Sequence, residues 1–158
     1  MPIDDVVLVT GGAAAFAADL AADGTLPASA LRPIATRATP AEGLAAIVSR
    51  SHLDRQTQAW LRRDDIAVVG RTGSSLKFCL IACGEADVYP RLAPTMEWDT
   101  AAGHAILNAA GGRVLTLDGL PLRYGKQDLG FKNGGFIAWA ANRLHELFSA
   151  RPADPTRF

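Results

Sequence analysis

The sequence predicts a layered α/β domain. Short apolar runs alternate along the chain with segments that carry helix-capping residues, an alternation typical of strands and helices packed in layers. Hydrophobic residues make up 49% of the chain and charged residues 20%, which is enough apolar material for a buried core. The length of 158 residues fits a single domain, residues 1–158, and leaves little room for two.

The first half of the chain predicts three strands and one helix. In order, these are a strand at 6–9, a strand at 45–49 that is buried on both faces, a helix from the cap Asp54 to about residue 63, and a strand at 66–69 that ends at Gly70. Thr10-Gly11-Gly12 closes the first strand, and the stretch after it, to about Pro40, is rich in Ala, Pro, Asp and Gly. It reads as loops with one short strand or helix.

The second half predicts three helices and further short strands. The first is a helix capped by Ser74 or Ser75 that reaches about Cys83, followed by a strand at 88–89 ended by Pro90 and a loop to Trp98. A helix then runs from Asp99 to about 110 and ends at Gly111-Gly112. The remaining elements are a strand at 114–117, a turn at Asp118-Gly119, a return strand at 121–124, a buried strand at 135–140, and a helix from Asn142 to about 149. The tail at 151–158 carries two prolines, and we expect it to fray.

Charge and hydropathy exclude several classes of protein. Sixteen Lys and Arg residues balance sixteen Asp and Glu residues, which argues against a broad basic surface for nucleic acid or anionic lipid. No apolar stretch approaches the 18 or so residues that span a bilayer. The N-terminus lacks a basic segment followed by an apolar one, so it does not resemble a signal peptide. We expect a soluble, cytoplasmic protein.

The two cysteines predict no chemistry. Cys79 and Cys83 are four residues apart in an apolar run. On a helix this spacing holds their backbones about 6 Å apart, near the limit for a disulfide. Two thiols without His or acidic partners also fall short of a zinc site. We expect buried, reduced thiols that pack as small hydrophobic side chains.

A turn rich in Gly and Ser predicts a phosphate site. The segment Gly73-Ser74-Ser75-Leu76-Lys77 leads into a predicted helix, where backbone N–H groups, two hydroxyls and an ammonium would suit a phosphate. The alternative is a serine cap followed by an ordinary surface lysine. Two other segments add polar groups at the ends of strands. They are Ser49-Arg50-Ser51-His52, and Arg91 after Tyr89-Pro90, whose guanidinium could grip a phosphate.

Asp99 is a candidate ligand for a hard cation. A carboxylate at the start of a helix is often only a cap, but the small residues Ala101, Ala102 and Gly103 let a ligand or another backbone come close. We expect Trp98 to be a buried anchor that holds Asp99 rigidly. A fixed, exposed carboxylate suits magnesium, although one carboxylate does not make a magnesium site.

The remaining polar and aromatic residues are interpreted as structural. Taken in turn, His104 packs among small residues, His145 is solvated, Lys126 and Lys132 are surface charges, and Trp139 belongs to the core.

Taken together, these segments resemble the C-terminal half of the 3'(2'),5'-bisphosphate nucleotidases. That family belongs to the inositol monophosphatase-like superfamily of magnesium-dependent phosphatases. The resemblance covers about residues 45–140, and four segments carry it: Ser49-Arg-Ser-His52, Gly73-Ser-Ser-Leu-Lys-Phe-Cys79, Ala86-Asp-Val-Tyr-Pro-Arg91 and Trp98-Asp-Thr-Ala-Ala-Gly-His104.

The resemblance implies a fold, a reaction and a set of residues. The fold is the C-terminal domain of the sugar phosphatase fold, with a central mixed β-sheet flanked by helices. The reaction removes the 3'-phosphate of adenosine 3',5'-bisphosphate, a by-product of sulfate assimilation, by attack of metal-activated water. The residues implied are Asp99 as a magnesium ligand, Ser74, Ser75 and Lys77 around the nucleotide and its 5'-phosphate, and His52 and Arg91 lining the same pocket. It implies no catalytic group in this half.

One departure from the family matters more than the match. The family takes its other metal ligands from an N-terminal domain that carries a glutamate and an Asp-Pro-x-Asp-Gly-Thr motif, and this sequence contains no such motif. We therefore expect a chain that begins just downstream of it and is inactive alone, because a lone Asp99 would bind magnesium weakly. Apolar surface left exposed would favour self-association or pairing with the missing domain.

Other functions stay open at this point. The chain could be a non-catalytic module that binds nucleotides or pairs with a partner, or an inositol monophosphatase acting on sugar phosphates. The Ser-Ser-Leu-Lys and Tyr-Pro-Arg segments count against the latter.

Overall fold

A computed structural model describes residues 6–140 apart from residues 12, 20, 22 and 74, and of residues 6–9 and 11 it describes the backbone alone. The predicted helix from Asn142 and the tail at 151–158 lie outside the described residues. The described strands are β1 (Val6–Gly11), β2 (Ala14–Asp19), β3 (Arg32–Ile34), β4 (Leu44–Ser49), β5 (Ile66–Thr72), β6 (Val88–Arg91), β7 (Thr95–Met96), β8 (Arg113–Thr116), β9 (Lys132–Asn133) and β10 (Phe136–Trp139). The described α-helices are α1 (Arg55–Trp60), α2 (Leu76–Ala82) and α3 (Ala101–Ala109).

A five-stranded mixed sheet, in the order β5-β4-β6-β10-β8, forms the centre of the described structure. Strand β4 pairs in parallel with β5 and β6, whereas β10 runs antiparallel to β6 and β8. The unbroken apolar run of β4 suits a strand buried on both faces. The predicted mixed sheet flanked by helices is therefore confirmed.

Helices cover both faces of this sheet. On one face α2 and α3 enclose an aromatic cluster in which the Phe78 ring lies 5.3 Å from Tyr89 and 5.8 Å from Phe136 between centroids. On the other face α1 brings Trp60 edge-on to Trp139, with 6.0 Å between the ring centroids. The core position predicted for Trp139 is confirmed.

The predicted strand at 6–9 is present as β1, but the stretch from residue 13 to Pro40 corrects the sequence interpretation. We predicted loops with one short strand or helix there, but both β2 and β3 form and complete a three-stranded antiparallel sheet with β1, and α3 lies against β1 and β2. Ala15 in β2 belongs to the main core cluster. Strand β2 is built largely of alanine, which has little preference for strands, so its pairing depends on contacts that sequence patterns do not report.

Three other predicted segments differ in the structure. Strand β6 continues through Pro90 and Arg91 instead of ending at the proline. The predicted return strand at 121–124 is reduced to a single bridge between Leu115 and Pro121, since proline has no N–H to extend a ladder. The predicted loop before Trp98 contains β7, which pairs with β9.

Helix boundaries are partly as predicted. Asp54 caps α1, and its carboxylate accepts a hydrogen bond from the Thr57 N–H at 2.9 Å, although α1 ends at Trp60 and does not reach residue 63. Ser75 stands at the cap position of α2 without a side-chain capping bond. Asp99 lies in a short 3-10 turn, Glu97–Asp99, and α3 begins after it. No described helix has the length and apolar character needed to cross a membrane.

A partly buried ion pair joins the segment after β3 to the central sheet. The Arg37 guanidinium donates two hydrogen bonds, each 2.7 Å long, to the Asp87 carboxylate. The same carboxylate accepts a 2.7 Å bond from the Ala45 N–H, at the start of β4. Asp87 is 2% exposed, and its hydrogen bonds raise the pKa of Arg37. The pair therefore ties three separate parts of the chain together.

Close packing of α2 against α3 explains Gly103, whereas Ala101 and Ala102 are exposed. A Cβ on Gly103 would lie 2.7 Å from Cδ2 of the buried Phe78 ring. Alanine is intrinsically better than glycine in a helix by about 1 kcal/mol, so an open site would gain stability. Here the clash dominates, and we expect Gly103→Ala to lower the free energy of unfolding by about 1–2 kcal/mol.

Urea unfolding of the Gly103→Ala variant checks this prediction. Ala105→Ser is a matched control, because Ala105 is exposed on the same helix and should change stability by about 0.5 kcal/mol or less. A stabilised Gly103→Ala variant would show that the two helices are not packed as described.

Candidate functional site

A cavity of about 420 Å³, called here the site cavity, opens at the carboxyl ends of the parallel strands β4, β5 and β6. The carboxyl ends of parallel strands are where open α/β sheets bind ligands. His52 follows β4, Ser75 and Lys77 lie at the start of α2 after β5, Arg91 ends β6, and Asp99 reaches the cavity from its 3-10 turn. Five of the six predicted residues thus meet in one cavity, and the sixth, Ser74, lies outside the described residues.

Lys77 forms part of the buried wall of this cavity. The residue is only 4% exposed, and its Nζ lies 5.0 Å from the centre of the Tyr89 ring. Burial, and secondarily the positive charge of Arg91, lower the pKa of Lys77 to about 8. The alternative of an ordinary surface lysine is therefore wrong. A partly desolvated ammonium held beside a guanidinium is a strong attractor for an anion.

Arg91 joins two of the segments that surround the cavity. Its Nη1 donates to the His52 carbonyl at 3.0 Å and its Nη2 donates to the Pro94 carbonyl at 3.3 Å. The buried Nε has no hydrogen-bond partner within the described part of the chain. Two nitrogens of the guanidinium thus fix two walls of the cavity.

His52 is exposed at the edge of the cavity, and a hydrogen bond within its own loop fixes its backbone. The His52 N–H donates to the Ser49 hydroxyl at 3.1 Å, and Ser49 lines the cavity as well. Together with the bond from Arg91 to its carbonyl, this contact fixes the backbone of His52 and leaves the imidazole at the cavity wall.

Asp99 fits both readings that the sequence allowed. One carboxylate oxygen accepts a 3.1 Å hydrogen bond from the Met96 N–H, which caps the 3-10 turn. The side chain is nevertheless exposed and lines the cavity. The carboxylate can therefore cap the turn through one oxygen and present the other to a ligand.

Trp98 is not the buried anchor that the sequence predicted. Its side chain is 66% exposed, and its ring lies 6.3 Å from the Phe131 ring between centroids. The residue that anchors the turn is the preceding one, Glu97, which is 7% exposed. The Trp98 prediction failed because an apolar side chain beside a site can form its wall as readily as it can enter the core.

Glu97 holds the turn through a network that sequence reasoning missed. Its carboxylate accepts bonds from the Gly125 N–H at 2.8 Å and the Lys126 N–H at 3.1 Å, and from the Lys126 ammonium at 2.8 Å. The hydrogen bond from Lys126 is the main cause that lowers the pKa of Glu97. Lys126 also donates to the Asn133 side chain at 2.9 Å and to the Arg123 carbonyl. The prediction that Lys126 is an ordinary surface charge is wrong.

The network continues behind Asp99 to His104. The Asn133 amide donates to the Thr100 hydroxyl at 3.0 Å, and Tyr124 links Thr100 to the His104 Nδ1, which lies 2.9 Å from the tyrosine oxygen. His104 is buried, and burial lowers its pKa. It is the satisfied packing histidine that the sequence predicted.

The cysteines and Lys132 take no part in the site cavity. Both cysteines are free, and burial raises the pKa of Cys79 to about 11, so the thiol is unreactive near neutral pH. Lys132 is exposed, as predicted, and lines a neighbouring space of about 520 Å³ that shares His52, Arg91 and Asp99 with the site cavity.

The described residues supply one carboxylate toward a metal and not a complete set of ligands. Among residues 6–140, with the gaps given above, no group of three or more His, Cys, Asp or Glu side chains could hold a metal ion. Asp99 has the oxygen chemistry and exposure that magnesium requires of a ligand. Its remaining ligands would have to come from a bound phosphate, from water or from residues beyond those described.

Comparison with known proteins finds one family. Residues 31–151 match the model of the inositol monophosphatase family. The 3'(2'),5'-bisphosphate nucleotidase CysQ of Buchnera aphidicola is 46% identical over 101 residues, which cover 63% of this chain and 38% of that protein. The same-named protein of Escherichia coli K12 is 47% identical over 90 residues, which cover 57% of this chain and 36% of that protein. The chain thus spans less than half the length of these relatives.

Solved structures agree with this match. CysQ from Bacteroides thetaiotaomicron superimposes with a TM-score of 0.72 at 35% identity, covering 90% of this chain and 56% of that one. Inositol monophosphatase from Anabaena superimposes with a TM-score of 0.56 at 21% identity, covering 89% and 56% of the two chains, and shows the fold alone.

Proposed function

Because the chain belongs to the inositol monophosphatase family, a family of phosphatases, we propose that it forms the substrate-binding side of a 3'(2'),5'-bisphosphate nucleotidase. The observation that carries the proposal is the site cavity, where His52, Ser75, Lys77, Arg91 and Asp99 meet. The names of the two CysQ relatives support a 3'(2'),5'-bisphosphate nucleotide as the substrate, and the family resemblance implies adenosine 3',5'-bisphosphate.

Each residue of the site cavity is proposed to bind a part of the substrate that suits its charge. Lys77 and Arg91 offer two adjacent cations, which suit a phosphate that does not react and must be held firmly. Ser75 adds a hydroxyl at the start of α2, and His52 adds an imidazole on the other wall. Ser74, by its place in the same turn, is proposed to contribute as Ser75 does. We assign no catalytic base or nucleophile to this chain.

Asp99 is proposed as a magnesium ligand that faces the phosphate to be removed. When bound, magnesium would supply an activated water and stabilise the leaving oxygen. Asp99 would present one carboxylate oxygen to the cavity. Hydrogen bonds among Glu97, Lys126 and Asn133 keep the turn that carries Asp99 in place. The 158 residues contain no Asp-Pro-x-Asp-Gly-Thr motif to complete the site, so we propose that they bind substrate without turning it over.

Binding and phosphate release by the purified chain test this function together. We expect adenosine 3',5'-bisphosphate to bind measurably and adenosine not to, because the cations of the cavity recognise phosphate. With magnesium added, we expect no phosphate release above that of the Asp99→Asn variant. Release that needs Asp99 would contradict the proposed inactivity, and failure of the bisphosphate to bind would contradict the substrate assignment itself.

Two further sequence predictions stay predictions. Self-association, or pairing with a domain that carries the missing motif, is compatible with exposed apolar side chains such as Val68, Leu120 and Leu129. A cytoplasmic location is likewise proposed.

The lowered pKa of Lys77 predicts how binding depends on pH. Only the protonated amine attracts a phosphate, and in the free protein half of it is deprotonated at about pH 8. We expect the affinity for adenosine 3',5'-bisphosphate to fall about tenfold between pH 7 and pH 9. Isothermal titration over this range measures the fall. The Lys77→Arg variant should bind the nucleotide with no such fall in affinity, since arginine stays protonated over this range.

Folding stability should change in the opposite direction over a higher pH range. The pKa of Lys77 is about 8 in the folded chain against an ordinary value of 10.5, so the unfolded chain binds more protons between these values. The contribution of Lys77 to stability therefore rises as the pH rises from 8 to 10.5. If affinity and stability both fell with pH, the cause would not be Lys77.

A further inference from the structure

A second groove, of about 600 Å³ and called here the arginine groove, lies beside the site cavity and has no role in the proposed function. Three guanidinium groups reach it from three elements: Arg50 after β4, Arg62 after α1 and Arg71 near the end of β5. The hydrophobic side chains that line it are Leu53, Leu61 and Val69. The groove thus combines apolar and cationic surfaces.

Within the described residues, the charges in this groove are not balanced by carboxylates. Elsewhere in the described structure arginines pair with aspartates, as Arg32 does with Asp19 and Arg37 with Asp87. No ion pair within the described part of the chain joins Arg50, Arg62 or Arg71 to a carboxylate, and no carboxylate lines the groove. Since the chain as a whole has a net charge of zero, three unbalanced cations in one groove are a local excess. An anion bound there would relieve their mutual repulsion.

We propose that the arginine groove is a second ligand site and that it binds a nucleoside diphosphate. Three guanidinium groups match the charge of a diphosphate near neutral pH, and each can form two parallel hydrogen bonds to phosphate oxygens. The apolar side chains Leu53, Leu61 and Val69 fit the face of a base, and the Gln58 side chain can hydrogen-bond its edge.

The four residues from Ser49 to His52 separate this site from the site cavity. Ser49 and His52 line the cavity, whereas Arg50 and Ser51 line the groove. Arg50 also reaches the turn that leads into α2, because a Cβ on Gly73 would lie 3.8 Å from its Nη2. A ligand held by Arg50 would therefore bear on two walls of the site cavity, and the two sites should influence each other's affinity.

Titration calorimetry with ADP at fixed ionic strength and without metal tests the proposal. We expect Lys77→Met, which removes a cation of the site cavity, to retain ADP binding at the groove. In the Lys77→Met background, the double variant Arg62→Ala/Arg71→Ala should weaken ADP binding by about a hundredfold, or tenfold for each charged contact. If the Lys77→Met variant retains ADP binding, that binding does not depend on the proposed function of the site cavity. Unchanged ADP binding in the double variant would overturn the proposal.

Three controls sharpen the experiment. Arg113 and Arg123 are exposed, do not line the groove, and belong to β8 and the segment after it, at the other edge of the sheet from β5. An equal loss in Arg113→Ala/Arg123→Ala would mean that only net charge matters, which also overturns the site. Val69→Glu, at an exposed position, should weaken ADP binding by placing a carboxylate among the arginines. Pyrophosphate should bind more weakly than ADP, and equal binding would contradict a nucleoside ligand.

Discussion

Removing the two cations of the site cavity is expected to have the largest effect on ligand binding. Lys77→Ala and Arg91→Ala should each weaken binding of adenosine 3',5'-bisphosphate by about 1–3 kcal/mol, which is about 5-fold to 150-fold. The two side chains meet in one cavity, and the charge of Arg91 contributes to the lowered pKa of Lys77. The double variant should therefore lose measurable affinity, although its two effects need not add.

Isothermal titration of the single and double variants checks this result. Lys77→Met distinguishes the lost charge from a lost side-chain volume, because methionine fills most of the buried space of the lysine. Arg113→Ala removes a charge from the far edge of the sheet and should bind as the unmodified chain does. Unchanged binding in both alanine variants would remove the phosphate-holding role from these residues.

Breaking the Arg37–Asp87 pair is expected to have the largest effect on stability. Asp87→Ala leaves a guanidinium without its two hydrogen bonds and the Ala45 N–H without its acceptor. We expect the free energy of unfolding to fall by about 3 kcal/mol, since the lost acceptor is buried and charged. Part of the loss should be offset because the Arg37 side chain is 36% exposed and water can reach it.

Denaturant unfolding at low and high salt tests the second expectation. The exposed pair of Arg32 and Asp19 provides the control, and Asp19→Ala should cost less than about 1 kcal/mol. A loss in Asp87→Ala no larger than that of Asp19→Ala would show that the pair does not stabilise the fold. The loss of stability in Asp87→Asn should lie between those of Asp87→Ala and Asp19→Ala, because the asparagine amide oxygen can still accept one of the three hydrogen bonds.

Local signals in the sequence predicted the parts of the fold that depend on local chemistry. The cap at Asp54 and the buried strand β4 arise from residues that are close together in the chain, and the structure has both. The polar residues at the ends of β4, β5 and β6 could be expected to meet, because parallel strands bring their carboxyl ends to one edge. That rule, with the family resemblance, was sufficient to predict the cavity that contains Lys77 and Arg91.

The parts that could not be predicted depend on distant partners. Glu97 contacts Lys126, 29 residues later in the chain, and nothing around either residue marks them as a pair. Without that contact, the neighbouring Trp98 was the obvious anchor, and the structure leaves it exposed. The alanine-rich strand β2 could not be predicted for the same reason, since it forms a strand by pairing with β1 and β3. Sequence patterns report burial along an element better than pairing between elements.

Lys77 and Phe78 are consecutive residues, and their adjacency limits how this protein can evolve. Both residues line the cavity, and the Phe78 ring also stacks on Phe136 and lies edge-on to Tyr89 in the core. A substitution that shifts that ring also shifts the amine, because both belong to the same turn of α2. Mutational tolerance at Phe136 and Gly103 should therefore be set by ligand recognition as well as by stability. Selection for ligand binding should then also act on Phe136 and Gly103, which do not line the cavity.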